Sequence, residues 1–124
     1  MKIAISSTGK DLKSKMAEVF GRCPYFIITE ISTKGGSASG EENNKIVKNE
    51  IMENAAANQP GGTGIAAAQA VAEKNINAVI TRNIGPRALD VLRQFNIEIY
   101  NGSGLVENVL QEFIAGKLTK IRLT

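Results

Sequence analysis

Residues 61–85 constrain the fold more than any other stretch. They open Gly61-Gly62-Thr63-Gly64, pass through Ala-rich residues 65–74, read Ile76-Asn77-Ala78-Val79-Ile80-Thr81, and break at Arg82-Asn83-Ile84-Gly85-Pro86. This is a glycine turn, a helix, a strand, a second glycine turn and the start of another helix. The strand is β-branched and nearly free of charge, as a strand covered on both faces must be. A helix leading into such a strand is half of a βαβ unit, so the chain must contain a largely parallel sheet.

The other elements are read as packing beside that strand. Ile3-Ala4-Ile5 is a short strand ending in the turn Ser6-Ser7-Thr8-Gly9. Leu12, Met16, Val19 and Phe20 have helical spacing after Asp11, which predicts a short, irregular helix. Residues 25–31 and 46–51 read as two strands joined through the Gly/Ser-rich residues 35–40, an antiparallel hairpin with a long loop. Residues 35–40 and 54–62 are expected to be the mobile segments. Pro86 opens a helix with Ala88, Val91, Leu92 and Phe95 on one face. Ile97 to Tyr100 is a strand, followed by Asn101-Gly102-Ser103-Gly104. Leu105, Val106, Val109, Leu110 and Phe113 form the stripe of a last helix that stops near Gly116. Residues 117–124 alternate in part, as a short edge strand or a frayed end. The expected architecture is α/β, with a five-stranded mixed sheet whose second strand alone is antiparallel.

This order gathers the glycine turns. Parallel strands deliver their C-terminal loops to one edge of the sheet, and the antiparallel strand begins there. Thr8-Gly9, Gly21-Arg22-Cys23, Gly62-Thr63-Gly64, Asn83-Ile84-Gly85 and Ser103-Gly104 therefore share a rim, which in open α/β sheets is the usual ligand site. Helix N-termini there suit an anion. Arg22 adds a fixed charge. Cys23 is the chain's single cysteine and its one soft ligand, and the neighbouring Arg22 is expected to favour its thiolate.

Other chemistry is excluded in large part. The loop at 61–64 lacks the Gly-Lys-Ser/Thr ending of a phosphate loop and the spacing of a dinucleotide fingerprint. The chain has no histidine, and no paired carboxylates or nucleophile with an adjacent base can be named, so no enzyme activity is expected. The net charge of +3 on 124 residues demands neither nucleic acid nor membrane as partner. One cysteine, no signal pattern and no long apolar run point to a single cytoplasmic domain.

Phe20-Gly21-Arg22-Cys23-Pro24-Tyr25-Phe26, the G-x-G-I-x-x-A-Q of residues 62–69, the V-I-T-x-N-I-G-P of residues 79–86, and the pattern running from Gly104 to Leu118 resemble, in that order, the family of dinitrogenase iron–molybdenum cofactor biosynthesis proteins. The resemblance covers essentially the whole chain. It implies a three-layer α/β/α, ribonuclease-H-like fold and a non-enzymatic role: binding an iron–molybdenum or iron–sulfur cluster and passing it between a donor and an acceptor protein, as a monomer or weak dimer. Many members have a His where this chain has Val19. A lone thiolate is too few for a cluster ligated by four cysteines. The competing reading at the same rim is a metal-free binder of a phosphate-bearing metabolite. A nuclease of the same fold is disfavoured, because the first strand carries no carboxylate for its metal ions.

Overall fold

The computed structural model describes residues 1–33 and 44–121. In chain order it contains β1 (Lys2–Ser7), a 3-10 turn at Phe20–Arg22, β2 (Tyr25–Thr33), β3 (Asn44–Glu53) and a second 3-10 turn at Ala55–Asn58. Then follow α1 (Thr63–Ala72), β4 (Ala78–Thr81), α2 (Pro86–Gln94), β5 (Glu98–Asn101), α3 (Val106–Ile114) and β6 (Thr119–Lys120). The sheet order is β3-β2-β1-β4-β5-β6. The charge-free strand at β4 sits between β1 and β5, parallel to both, with Ala4 opposite Val79 and Val79 opposite Ile99. All its residues are buried.

Strand alternation splits the interior into two cores. Ala4, Phe26, Ile28, Val79 and Ile99 face Ala67, Ala68 and Val71 of α1 and Ala88 and Leu92 of α2. Ile3, Ile5, Ile27, Ala78 and Ile80 face Val106, Val109 and Leu110 of α3. The molecule is thus an α/β fold with α1 and α2 on one side of the sheet and α3 on the other.

Several expectations are corrected. The sheet has six strands, not five. Gly116, at φ 74, turns the chain back after α3, which sets Thr119 opposite Asn101 and Lys120 opposite Tyr100, antiparallel to β5. β2 is therefore not the only antiparallel strand. Residues 11–19 form no helix. They cross the end of the sheet, bridging Ser7 to Met16, Lys15 to Leu105 and Val19 to Asn83. Met16 enters the α3 core while Ala17 and Phe20 enter the other, so these apolar residues never shared one helical face. Phe95 is exposed rather than packed, because α2 ends at Gln94 and Asn96 turns at φ 60. The expected mobile residues 35–40 lie outside the described residues. Residues 54–62 include the second 3-10 turn, and their hydrogen bonds to the rest of the chain run as far as Gln59.

Candidate functional site

Gly62 at φ 69 is the N-cap of α1, a conformation that suits a residue without Cβ. Gly85 is the N-cap of α2, with Pro86 inside its first turn. Neither cap makes a side-chain hydrogen bond, and neither first turn holds an acidic residue. The hydrogen-bond ladders begin with Ala66 N–H to Gly62 O and Leu89 N–H to Gly85 O. The N–H groups of residues 63–65 and of residues 87 and 88 precede those bonds and point out of the helix ends.

These two helix starts converge. With residues 19–21 they line a cleft of about 380 Å³. Its walls are formed by residues 19–21, 62–65 and 85–88. Phe20 is fully buried at its base and packs against Phe26, with ring centroids 5.1 Å apart. Val19 and Arg87 are exposed, and Ile65 is half-buried. The close approach requires small residues. A Cβ on Gly64 would stand 3.2 Å from that of Ala88, and a Cβ on Gly21 would stand still closer to the backbone of Gly64. The cleft offers N–H groups from two helix ends, one guanidinium and apolar walls, which together suit an anion with a soft, weakly hydrated surface.

A polar brace, buried at Asn54 and exposed at Arg22 and Asn83, sets the position of residues 19–21. The Asn54 amide donates to Cys23 O (2.8 Å) and Gly21 O (3.3 Å), and its Oδ1 accepts from Ala56 N–H (3.2 Å). Arg22 Nη1 donates to Ala57 O (3.1 Å) and Gln59 O (2.9 Å). Asn83 donates through Nδ2 to Glu18 O (2.9 Å), and its carbonyl accepts from Phe20 N–H (2.9 Å).

Of the residues singled out from the sequence, Gly21, Gly62, Thr63, Gly64 and Gly85 come together in the cleft. Asn83 supports one wall from behind. Arg22 lies outside the lining. Thr8 donates from its N–H and its hydroxyl to Lys15 O, and Gly104 O accepts from Met16 N–H. Thr8, Gly9, Ser103 and Gly104 thus belong to loops that flank the crossing segment, not to the cleft. The expected Cys23 thiolate is reversed. Its side chain is buried and donates to Phe20 O at 3.2 Å, and burial pushes the thiol up to about 12 despite hydrogen bonds from Ser7 and Asn54. Among the described residues no three His, Cys, Asp or Glu side chains come together as a metal site. Sequence reasoning missed Arg87. Its signal was a cation in a first helical turn, where the helix dipole disfavours one.

The family model described as "Dinitrogenase iron-molybdenum cofactor" matches residues 1–116. An uncharacterized protein of Methanocaldococcus jannaschii is 35% identical over 108 residues, which cover 86% of this chain and 83% of that protein. Among solved structures, a Thermotoga protein provisionally described as NifB, of the DUF35 family, superposes with a TM-score of 0.75 at 28% identity, covering 99% of this chain and 96% of that one. The apo form of the orange protein from Desulfovibrio gigas superposes with a TM-score of 0.79, covering 97% of this chain and 92% of that one; at 23% identity it speaks for the fold alone.

Proposed function

The chain belongs to the dinitrogenase iron–molybdenum cofactor family, and we propose that it is a non-enzymatic carrier in the biosynthesis of that cofactor, holding an anionic metal–sulfur cluster in the cleft between the starts of α1 and α2. The observation that carries this reading is the convergence of two uncapped helix N-termini and Arg87 on one cleft with apolar walls. Positive potential from the helix ends balances the charge of the cargo. Val19, Ile65 and Pro86, the apolar lining residues with accessible surface, offer contact to a polarizable sulfide surface.

The donor set does not fit a cluster ligated by protein side chains. The single thiol is buried and protonated at neutral pH, and the chain has no imidazole. The cargo is therefore an already complete cluster, held by N–H groups and charge rather than by a sulfur–metal bond from Cys23. A donor protein delivers it assembled, and an acceptor protein performs any ligand exchange. A ribonuclease-H-like classification and a cytoplasmic location accompany this reading. No helix among the described residues is long and apolar enough to cross a membrane.

The second reading, a phosphate-bearing metabolite in the same cleft, draws on the same N–H groups. Phosphate is hard and strongly hydrated, and gains little from Val19, Ile65 and Pro86. Anaerobic equilibrium dialysis against tetrathiomolybdate and against inorganic phosphate separates the two. A carrier takes up the thiomolybdate with the higher affinity. Retention of phosphate alone favours the metabolite binder, and retention of neither removes both readings.

A further inference from the structure

Resting on that reading of the cleft, we propose that the two arginines at this end of the molecule have different tasks: Arg87 supplies the cleft's cationic charge, and Arg22 is a positioning residue that holds the chain entering α1 in place.

The guanidinium of Arg22 is engaged. Its Nη1 bonds to the carbonyls of Ala57 and Gln59, and its side chain lies outside the cleft lining. Those carbonyls belong to the segment that runs directly into Gly62, the N-cap of α1. Asn54 fixes the near end of the segment through Ala56 N–H, and Arg22 fixes the far end. Beyond Gln59 come Pro60, Gly61 and Gly62, and nothing stands within 4 Å of where a side chain on either glycine would sit. Among the described residues the Arg22 clasp is thus the last hydrogen bond to the chain before the helix whose N–H groups line the cleft. Removing it loosens the geometry of that wall without removing charge from the cleft.

Arg87 is placed in the opposite way. It lines the cleft, is exposed, and stands in the first turn of α2. Among the described residues it forms no ion pair, whereas its neighbour Arg82 is paired with Glu18 at 3.6 Å. A cation at a helix N-terminus opposes the dipole and weakens the helix. An anion in the cleft reverses the sign of that interaction.

The test uses the full chain, its Arg87→Ala, Arg22→Ala and Arg22→Lys variants, and tetrathiomolybdate as the probe, titrated anaerobically at low and high salt. Amide hydrogen exchange is measured without the probe. Arg87→Ala is expected to weaken binding about tenfold or more at low salt, to flatten its salt dependence, and to leave exchange at residues 57–62 unchanged. Arg22→Ala is expected to accelerate exchange at residues 57–62, to weaken binding less, and to keep the parent's salt dependence. Arg22→Lys, which keeps the charge but ends one bond short of Nη1, is expected to keep the parent's salt dependence and to recover the exchange protection only in part. The assignment is overturned if Arg22→Ala flattens the salt dependence while Arg87→Ala binds like the parent, or if exchange at residues 57–62 ignores Arg22. If the parent binds no probe at any salt, the cleft reading fails and the role of Arg87 with it. The clasp then stands or falls on exchange alone.

Discussion

Gly21 packs against Gly64 backbone to backbone: a Cβ on Gly21 would stand 2.7 Å from the Gly64 nitrogen and 2.8 Å from its Cα. Neither atom belongs to a flexible side chain, so nothing can yield cheaply. The contact joins the 3-10 turn at Phe20–Arg22 to the first turn of α1, and so sets the width of the cleft. Gly21→Ala is expected to cost about 1 to 3 kcal/mol, the usual scale of overpacking, and to weaken anion binding with it. Gly61→Ala is the control. Its added methyl meets nothing within 4 Å and its φ is not positive, so stability should change by no more than about 0.5 kcal/mol. Chemical denaturation of both variants checks the pair.

The Val79 side chain is fully buried, on a strand flanked by β1 and β5. Val79→Ala removes two methyl groups from the core beneath α1 and α2 and is expected to cost about 1 to 3 kcal/mol. An unfolding free energy equal to that of the parent would remove β4 from the centre of the fold.

Cys23 gives a pH dependence of definite sign. Burial raises its thiol from 9.0 to about 12 in the folded chain. Above pH 9 the unfolded chain loses this proton while the folded chain keeps it, so deprotonation favours unfolding. Below pH 9 the group has no effect on stability; between pH 9 and about 12 it lowers stability as pH rises. The limiting slope is about 1.4 kcal/mol per pH unit. Comparing Cys23→Ala with the parent across that range isolates the effect from lysine and tyrosine titration, and the variant should lose less stability. Iodoacetamide at pH 8 should leave the native thiol unmodified and label it on unfolding.

Asn54 is buried and satisfies Cys23 O, Gly21 O and Ala56 N–H at once. Asn54→Ala strands those groups, at an expected cost of about 1 to 3 kcal/mol. Amide exchange should rise in the 3-10 turns at Phe20–Arg22 and Ala55–Asn58 together. A rise confined to one of them would show that Asn54 does not couple the two.

The directions of the long strands and the convergence of the glycine loops at Gly62 and Gly85 could be read from connectivity, since crossovers and hairpins leave few alternatives. What escaped depends on contacts distant in sequence. Met16 and Phe20 fit a helical period, yet they enter cores on opposite faces of the sheet. The partial alternation of residues 117–124 fitted an edge strand or a frayed end alike, and the pairing that makes Thr119–Lys120 a strand depends on the turn at Gly116. Arg22 precedes Cys23 in sequence, but its guanidinium reaches away to Ala57 and Gln59 while the thiol turns into the core. Sequence adjacency therefore said nothing about the field at the sulfur. Arg87 lay beside the Gly85-Pro86 turn, and its role emerged only when α1 and α2 were set side by side.

The central claim is that anionic cargo sits between the starts of α1 and α2, and amide-shift mapping during an anaerobic titration with tetrathiomolybdate tests it most directly. The account requires saturable shifts concentrated at residues 19–21, 62–65 and 87–88. Shifts gathered instead around Arg93, Asn96 and Lys120, which line a smaller cleft of about 230 Å³ beside β6, would contradict it, as would no shifts at all.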